Sequence, residues 1–391
     1  MTLAKRSLTS ERVARLPASG IRRFFDLAAG ATDVISLGVG EPDFVTPDAF
    51  REAAVRSIKE GKTQYTSNYG LLALREAIAE HTSKLRGVAY DPRSEILVTV
   101  GVSEAVDLAL RATLNDGDEV IVADPSYVAY VPAIVLAGGI PVGVPTYEEH
   151  AFRLLPADVA KAVTPRTKAI LLGFPNNPTG AVLEAEDVRG IAALAREHDL
   201  VVYADEIYDR LVYGTEHRSI LDEPGMKERT IYLAGFSKAY AMTGWRVGYA
   251  CAPADIVEQM MKIHQYTVMC VPTAAQYAAL EALRTGEPEV QRMVGEYDKR
   301  RKRMFERFNA MGLRCFEPRG AFYCFPNITG TGLSDDVFCE RLLTEERVVV
   351  VPGNAFGERG LGHVRACYAS SMEKIDEACD RIERFVGRLR S

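Results

Sequence analysis

The sequence lacks several patterns that mark common classes of protein. No apolar run approaches the ~18–20 residues that a membrane-spanning helix needs, and the seven cysteines form no CxxC pair. There is also no HxxxH motif, no cluster of Cys and His, and no GxGxxG loop. These absences argue against a membrane span, a disulfide-stapled secreted domain, a bound metal and a dinucleotide site.

An excess of charge of one sign is also missing. The 391 residues include 47 Lys and Arg against 53 Asp and Glu, a formal net charge of −6, which argues against nucleic-acid binding. The cysteines are odd in number and unpaired in pattern, so we expect reduced thiols in a cytoplasmic protein. Residues 1–20 are basic but contain no secretory apolar core, and we interpret them as an N-terminal arm.

Short apolar segments alternate with segments of helical periodicity along the chain. Strands are predicted at 96–100, 119–123, 168–172, 200–204 and 231–234, and helices at 48–61, 71–86, 105–114, 184–198, 290–310 and 372–389. This alternation predicts an α/β fold with a mostly parallel, doubly wound sheet, whose ligands bind at the carboxyl ends of the strands. We expect a large domain over 48–285, and a smaller α+β domain formed by 1–47 and 286–391.

Lys238 follows one of these predicted strands directly. A lysine at the mouth of a strand can lose part of its hydration, which lowers its pKa and frees the neutral amine to attack an aldehyde. Ser237 and Arg246 offer a hydroxyl and a guanidinium that suit a phosphate. Together the three groups fit a phosphorylated aldehyde, pyridoxal phosphate; an ordinary surface lysine is the alternative.

Further polar side chains follow the strands at the same predicted edge. Asp205 could hold a pyridine nitrogen protonated, or it could cap a following helix. Tyr208 and Asn177 could donate hydrogen bonds to the cofactor's phenolic oxygen, although Asn177 also suits a plain Asn-Pro turn. The ring of Tyr127 could stack on the pyridine or could simply pack in the core. Each alternative stays open for each residue taken singly.

Two segments are suited to binding anions. Ser103, Glu104 and Ala105 are predicted to open a helix whose free N–H groups face the carboxyl edge of the sheet, which favours a phosphate. A plain strand–turn–helix connection is the alternative there. Arg365 lies in a short strand-like run near the end of the chain, and its guanidinium suits the α-carboxylate of an amino acid or a surface acid.

One stretch resembles a known family. Ser237-Lys238 followed by Met242-Thr243-Gly244-Trp245-Arg246-Val247-Gly248 resembles the cofactor-lysine signature of the class I/II pyridoxal-phosphate-dependent aminotransferases, which are aspartate/aromatic aminotransferase-like enzymes of fold type I. The resemblance covers about residues 33–370 and includes, in order, Asn177, Asp205, Tyr208, Lys238 and Arg246. It implies an enzyme that moves an amino group between an L-amino acid and a 2-oxo acid by ping-pong kinetics, with Lys238 bound to the cofactor aldehyde.

The resemblance also implies roles for residues that carry little signal alone. Tyr127 would cover the cofactor ring, the backbone N–H of Gly40 and the side chain of Arg365 would bind the substrate carboxylate, and Tyr65 would reach the phosphate of a partner subunit. A homodimer with shared active sites is therefore expected. A C–S β- or γ-lyase of the same fold and a non-enzymatic regulator that binds pyridoxal phosphate are the alternatives.

The substrate is the least certain part of the prediction. Residues 268–273, expected to reach across from the partner, contain no Lys or Arg. Ile21 in the N-terminal arm and Tyr127 favour an apolar or aromatic amino acid, with glutamate and 2-oxoglutarate as the other pair. Arg22 or Arg23 could instead bind an acidic side chain, which would favour aspartate.

Overall fold

The structure is a computed structural model that describes residues 8–14, 16 and 33–390. Its helices are α1 (Glu11–Ala14), α2 (Asp48–Lys59), α3 (Leu72–Arg86), α4 (Gly101–Thr113), α5 (Tyr130–Leu136), α6 (Pro156–Ala162), α7 (Ala185–Glu197), α8 (Ala254–Thr267), α9 (Thr273–Thr285), α10 (Glu287–Ala310), α11 (Asp335–Glu346) and α12 (Met372–Arg390). Its strands are β1 (Ile35–Ser36), β2 (Ile96–Thr99), β3 (Glu119–Asp124), β4 (Ile140–Pro145), β5 (Thr167–Gly173), β6 (Val201–Asp205), β7 (Thr230–Gly235), β8 (Gly248–Cys251), β9 (Tyr323–Cys324), β10 (Val348–Val349), β11 (Val351–Pro352) and β12 (Val364–Cys367).

Seven strands form the central sheet, in the order β2-β8-β7-β6-β5-β3-β4. β8 pairs antiparallel with both of its neighbours, and the pairings from β7 to β4 are parallel. Successive residues of β3 enter different hydrophobic clusters: Val120 and Val122 pack with α4, whereas Ile121 packs with α7. Helices therefore cover both faces, which confirms the predicted α/β class with a mostly parallel, doubly wound sheet.

The C-terminal part forms smaller sheets. β9, β12 and β11 pair antiparallel, and β1 pairs parallel with β10, which brings residues 35–36 beside the C-terminal half of the chain. Helices α10, α11 and α12 pack on this part through the buried rings of Phe308, Phe338 and Phe385. The boundary of a second domain near residue 286 stays a prediction. None of the helices in the described ranges has the length and apolarity that a bilayer span requires.

The alternative reading of Asp205 as a helix cap does not apply, and one predicted helix start was wrong. Asp205 is the last residue of β6, and residues 207–210 form a turn, so no helix follows for Asp205 to cap. The helix predicted from residue 105 begins earlier, at Gly101, which has a φ of +72°. This left-handed conformation is easy for glycine, so the chain turns from β2 into α4 without a connecting loop. Strands β4 and β8 lay outside the sequence-based prediction.

Candidate active site

A cavity of about 530 Å³ lies at the carboxyl ends of the parallel strands. Groups from the central sheet and from the C-terminal strands β9 and β12 line it together, because the two parts of the chain meet there. Most of the residues predicted for the site line this cavity: Gly40, Ser103, Tyr127, Asn177, Asp205, Tyr208, Ser237, Lys238, Arg246 and Arg365. Long-range packing therefore brings together residues that the sequence places more than 300 positions apart, such as Gly40 and Arg365.

Lys238 lies just beyond the end of β7. Its Nζ donates a hydrogen bond of 2.6 Å to the carbonyl oxygen of Gly40, and it lies 5.6 Å from the ring centroid of Phe322 and 5.8 Å from that of Tyr208. Burial among these groups lowers the pKa of Lys238 to about 8. A lysine with this pKa is partly neutral near neutral pH, as a nucleophile for an aldehyde must be.

Asp205 is almost fully buried at the end of β6. Tyr130 Oη donates to Asp205 Oδ2 at 2.8 Å, and the backbone N–H of Ile207 donates to Oδ1 at 3.2 Å. Burial raises the pKa of Asp205 to about 6, since these two hydrogen bonds only partly offset the loss of hydration. The carboxylate is thus held in one orientation, and a cation or a protonated ring nitrogen would be a favourable partner.

Arg365 lines the cavity from strand β12. Its Nη1 donates to Asn177 Oδ1 at 2.9 Å, and its Nη2 donates to the carbonyl oxygen of Gly38 at 2.6 Å. The guanidinium carbon lies 4.5 Å from the ring centroid of Tyr323 and 4.9 Å from that of Phe356. Nε is buried and has no partner among the described residues. A guanidinium fixed in this way, with donor capacity left over, suits a carboxylate.

The start of α4 forms an end of the cavity that suits an anion. Val102, Ser103 and Val106 line it, and the first N–H groups of the helix are free of intrahelical partners. A Cβ at Gly101 would lie 2.6 Å from Arg246 Nη2, so the guanidinium packs directly across the helix start. Gly248 packs against the same turn, because a Cβ there would lie 2.6 Å from the backbone nitrogen of Val102.

Glu104 and Ala105 do not line the cavity, which limits the predicted anion site to the first residues of α4. Glu104 Oε2 accepts a hydrogen bond from the backbone N–H of Val100, and Oε1 lies 2.8 Å from Nδ1 of the buried His264. Successive helical residues differ by about 100° in direction, so residues 103, 104 and 105 cannot all face one side. The Glu104 side chain therefore stabilises the turn between β2 and α4 and does not face the cavity.

Of the predicted site residues, the structure describes Tyr65 but not Ile21. Tyr65 is 79% exposed and lies outside the cavity of its own chain. Ile21, like Arg22 and Arg23, lies outside the described residues, so its predicted contact is not tested.

Two tyrosines of the cavity wall were missed by the sequence-based prediction. Tyr130 holds Asp205, and its ring packs edge-on against that of Tyr127 with centroids 5.4 Å apart. Tyr323 belongs to the apolar run around β9, where alternation alone does not show which ring faces a cavity. For Tyr130 the only available signal was its position three residues after Tyr127, in the segment that follows a predicted strand.

The donor set fits pyridoxal phosphate. The cavity holds an amine for the aldehyde, a carboxylate for the ring nitrogen, and a helix start with Ser237 and Arg246 for the phosphate. Its volume is within the ~300–1,000 Å³ of ligand sites. No group of three metal-ligating side chains occurs within residues 8–14, 16 and 33–390.

Comparisons with known proteins agree with this geometry. Residues 32–382 match the family model described as "Aminotransferase class I and II". An aromatic-amino-acid aminotransferase of Thermococcus litoralis is 47% identical, and an aspartate aminotransferase of Pyrococcus abyssi is 49% identical; each match covers 96% of this chain and 98% of the relative. The crystal structure of an aromatic aminotransferase from Pyrococcus horikoshii is 47% identical, with a TM-score of 0.90 over 95% of this chain and 99% of that chain.

Proposed function

The chain belongs to the class I and II aminotransferase family, and from this premise we propose the role of each active-site residue in pyridoxal-phosphate-dependent transamination between an amino acid and a 2-oxo acid. The observation that supports these roles best is the half-buried amine of Lys238, with its pKa lowered to about 8, in one cavity with a buried carboxylate and a held arginine. The relatives bear aminotransferase names, which does not favour the lyase or the regulator. Borohydride reduction of the holoenzyme, followed by peptide mapping, tests the assignment of the lysine.

When bound, the cofactor supplies a ring that withdraws electrons from the substrate's α-carbon. We propose that Lys238 holds the cofactor aldehyde between turnovers, and that its Nζ then moves the proton of the α-carbon. Asp205 keeps the ring nitrogen protonated, and Tyr208 donates a hydrogen bond to the phenolic oxygen. Ser237 and Arg246 bind the phosphate together with the N–H groups at the start of α4. Ping-pong kinetics follow, because one product leaves before the second substrate binds.

Arg365 binds the substrate's α-carboxylate in this proposal. Asn177 and the carbonyl oxygen of Gly38 hold the guanidinium in place, and the nearby rings of Tyr323 and Phe356 help to bury it. The backbone N–H of Gly40 is the proposed second donor to the same carboxylate. Because every amino acid and 2-oxo acid has this carboxylate, the arginine sets the orientation of the substrate without selecting its side chain.

We further propose that the donor substrate is an apolar or aromatic amino acid. The cations among the described residues that line the cavity are Lys238, Arg246 and Arg365, and each already has a proposed role. Glu41 at the rim would repel an acidic side chain. A carboxylate buried without a partner is costly, so aspartate would need a cation from elsewhere, such as Arg22 or Arg23.

Substrate preference can be measured directly. With 2-oxoglutarate as acceptor, we expect kcat/KM for phenylalanine or tyrosine to exceed that for aspartate by about tenfold or more, since one unpaired charge costs more than 1.4 kcal/mol. Leucine and alanine complete the series and show whether the aromatic ring itself is selected. A preference for aspartate that disappears in Arg22→Ala would contradict the apolar pocket and leave the roles of the other residues intact.

We propose a homodimer in which each subunit completes the site of its partner. Tyr65, Tyr266 and Met269 are large side chains that are exposed in the single chain. The segments that carry Tyr65 and Met269 are held together, because Asn68 Nδ2 donates to the carbonyl oxygen of Met269 at 2.8 Å and Thr273 Oγ1 donates to that of Gln64 at 2.8 Å. Since Tyr65 lies outside the cavity of its own chain, a phosphate that it reaches must be in the partner subunit.

Subunit mixing tests this arrangement. Lys238→Ala and Tyr65→Ala homodimers should each have low activity, and mixing them after reversible dissociation should restore about a quarter of the wild-type activity, as expected for one intact site in half of the dimers. A mixture of Lys238→Ala with Lys238→Arg is the control and should stay inactive. A fully active monomer in light scattering would contradict the shared site.

The domain division, the cellular location and the role of the N-terminal arm are also proposals. We propose the domain division at residues 48–285 and 286–391, with 1–47 joining the second part, because β1 pairs with β10 there. We propose a cytoplasmic location, consistent with seven free cysteines. We also propose that the N-terminal arm closes over the substrate, since residues 35–40 lead directly to the cavity wall.

A further inference from the structure

Tyr323, the first residue of β9, is 1% exposed and contacts three separate parts of the active site. Its hydroxyl lies 2.7 Å from that of Tyr208, and its ring faces the guanidinium of Arg365 at 4.5 Å. A Cβ at Gly40 would lie 2.4 Å from the Tyr323 hydroxyl, so the backbone that binds Lys238 packs directly against it. The Tyr323 side chain thus contacts Tyr208, Arg365 and Gly40, the residue whose carbonyl oxygen binds Lys238.

The topology explains why one residue reaches all three. β9 pairs antiparallel with β12, with Cys367 opposite Tyr323, and Arg365 lies two residues along β12 on the same face. Tyr208 belongs to the turn after β6 of the central sheet. The two hydroxyls therefore join the small C-terminal sheet to the large sheet at the cavity.

We propose that Tyr323 is a positioning residue that couples the carboxylate-binding arginine to the hydrogen-bond donor Tyr208. The inference rests on the roles proposed above for Tyr208 and Arg365. Tyr323 Oη donates a hydrogen bond to Tyr208 Oη, which leaves the hydroxyl hydrogen of Tyr208 free to bond an acceptor in the cavity. A hydroxyl that accepts one hydrogen bond donates the next one more strongly, and the aromatic face of Tyr323 stabilises the guanidinium.

The assignment of the donor follows from the role proposed for Tyr208. Burial raises the pKa of both tyrosines, so both hydroxyls keep their protons at neutral pH, and Tyr323 is the donor of the pair because the Tyr208 hydroxyl donates to the phenolic oxygen. Arg365 stacks on the ring and donates its hydrogen bonds to Asn177 and Gly38, so it does not compete for the hydroxyl. The nearest hydroxyl that can accept the proton is that of Tyr208.

Tyr323→Phe removes the hydroxyl and keeps the ring. The visible absorption of the cofactor bound to Lys238 changes with pH as that linkage loses its proton. In Tyr323→Phe we expect the midpoint of this change to rise by about 0.5–1 pH unit, because the cofactor's phenolic oxygen then accepts a weaker hydrogen bond from Tyr208 and attracts the nearby proton more strongly. We expect kcat to fall about 3–10-fold, whereas KM for the amino acid stays within about twofold, since the face under Arg365 is retained.

Tyr323→Leu removes the ring as well. The absorption midpoint should shift as in Tyr323→Phe, and KM should now rise by about 3–30-fold, since the cation–π contact is lost. Tyr213→Phe is the matched control, because its buried hydroxyl donates to the carbonyl oxygen of Ala321 at 2.6 Å outside the cavity. This control should lower the melting temperature of the apoprotein and leave both the midpoint and KM unchanged.

A double-mutant cycle decides between coupling and packing. In a Tyr208→Phe background, the effect of Tyr323→Phe on the midpoint should vanish, because the acceptor hydroxyl is gone. If Tyr323→Phe keeps the wild-type midpoint and only melts earlier, as Tyr213→Phe does, the proposal is wrong. Failure of the proposed function would look different, since the wild-type protein itself would then lack the visible absorption of bound cofactor.

Discussion

Lys238→Ala should abolish the covalent attachment of the cofactor and reduce kcat by at least the ~10²–10⁴-fold that a positioned acid–base group contributes. The wild-type holoenzyme treated with borohydride should carry the cofactor on the peptide that contains Lys238, and the variant should carry none. Lys238→Arg keeps the positive charge but lacks a nucleophilic amine, so it should fail in the same way. Lys161→Ala, at a side chain that is 76% exposed, is the control and should behave like the wild type.

The lowered pKa of Lys238 gives this prediction a pH dependence. With a pKa of about 8 in place of the ordinary 10.5, about a tenth of the amine is neutral at pH 7, against fewer than one in a thousand for an ordinary lysine. Only the neutral amine attacks an aldehyde, so the rate at which the apoprotein captures the cofactor should rise about tenfold per pH unit below pH 8 and level off above it. A rate that keeps rising to pH 10 would contradict the lowered pKa.

Asp205→Asn should reduce kcat on the order of 10²–10³-fold with little change in the fold, because the charge that holds the ring nitrogen protonated is lost while the shape is kept. In the wild type, the pKa of about 6 means that the carboxylate is ionised above pH 6 and protonated below it. Retention of the cofactor should therefore be full above pH 6 and weaken as the pH falls through 6. Asp205→Asn should have weak retention at every pH, and fluorescence titration of the apoprotein measures both.

A buried carboxylate with a purely structural role provides the control. Asp187 accepts a hydrogen bond of 2.9 Å from the backbone N–H of Glu184 in the capping box of α7. Asp187→Asn should lower the free energy of unfolding by about 1 kcal/mol and leave kcat unchanged. If Asp205→Asn shows this same pattern, Asp205 has no role at the ring nitrogen.

Much of the fold follows from the sequence because its central strands are buried on both faces. The predicted strands at 168–172 and 231–234 are apolar apart from Lys168 at one end, which is typical of interior parallel strands, and the observed β5 and β7 agree within one residue. The turn after Asp205 did not follow from the sequence, which left a following helix open as an alternative. Tertiary packing of Tyr208 and Leu211 into the C-terminal core holds this segment as a turn instead.

The chemistry of the site was more predictable than its supporting contacts. Lys238 and Asp205 each had an ordinary alternative when taken singly, and they were proposed for the site because they belong to an ordered pattern that resembles the family. Tyr130 and Tyr323 were not, because their function depends on which distant hydroxyl or carboxylate they meet. The register that places Tyr323 beside Arg365 forms between β9 and β12, more than 30 residues apart, and alternation within either strand does not define that pairing.

The reversed direction of β8 has a consequence for how the cofactor site assembles. Because β8 runs against β7, its first residue, Gly248, lies at the same edge as Gly235, the last residue of β7. The twelve residues between them hold both Lys238 and Arg246, so the proposed nucleophile and the proposed phosphate-binding cation lie in one contiguous segment. A parallel β8 would have needed a crossover connection to return to this edge. The two groups therefore come together through short-range contacts, whereas Arg365, the proposed carboxylate-binding residue, is positioned by contacts with distant parts of the chain.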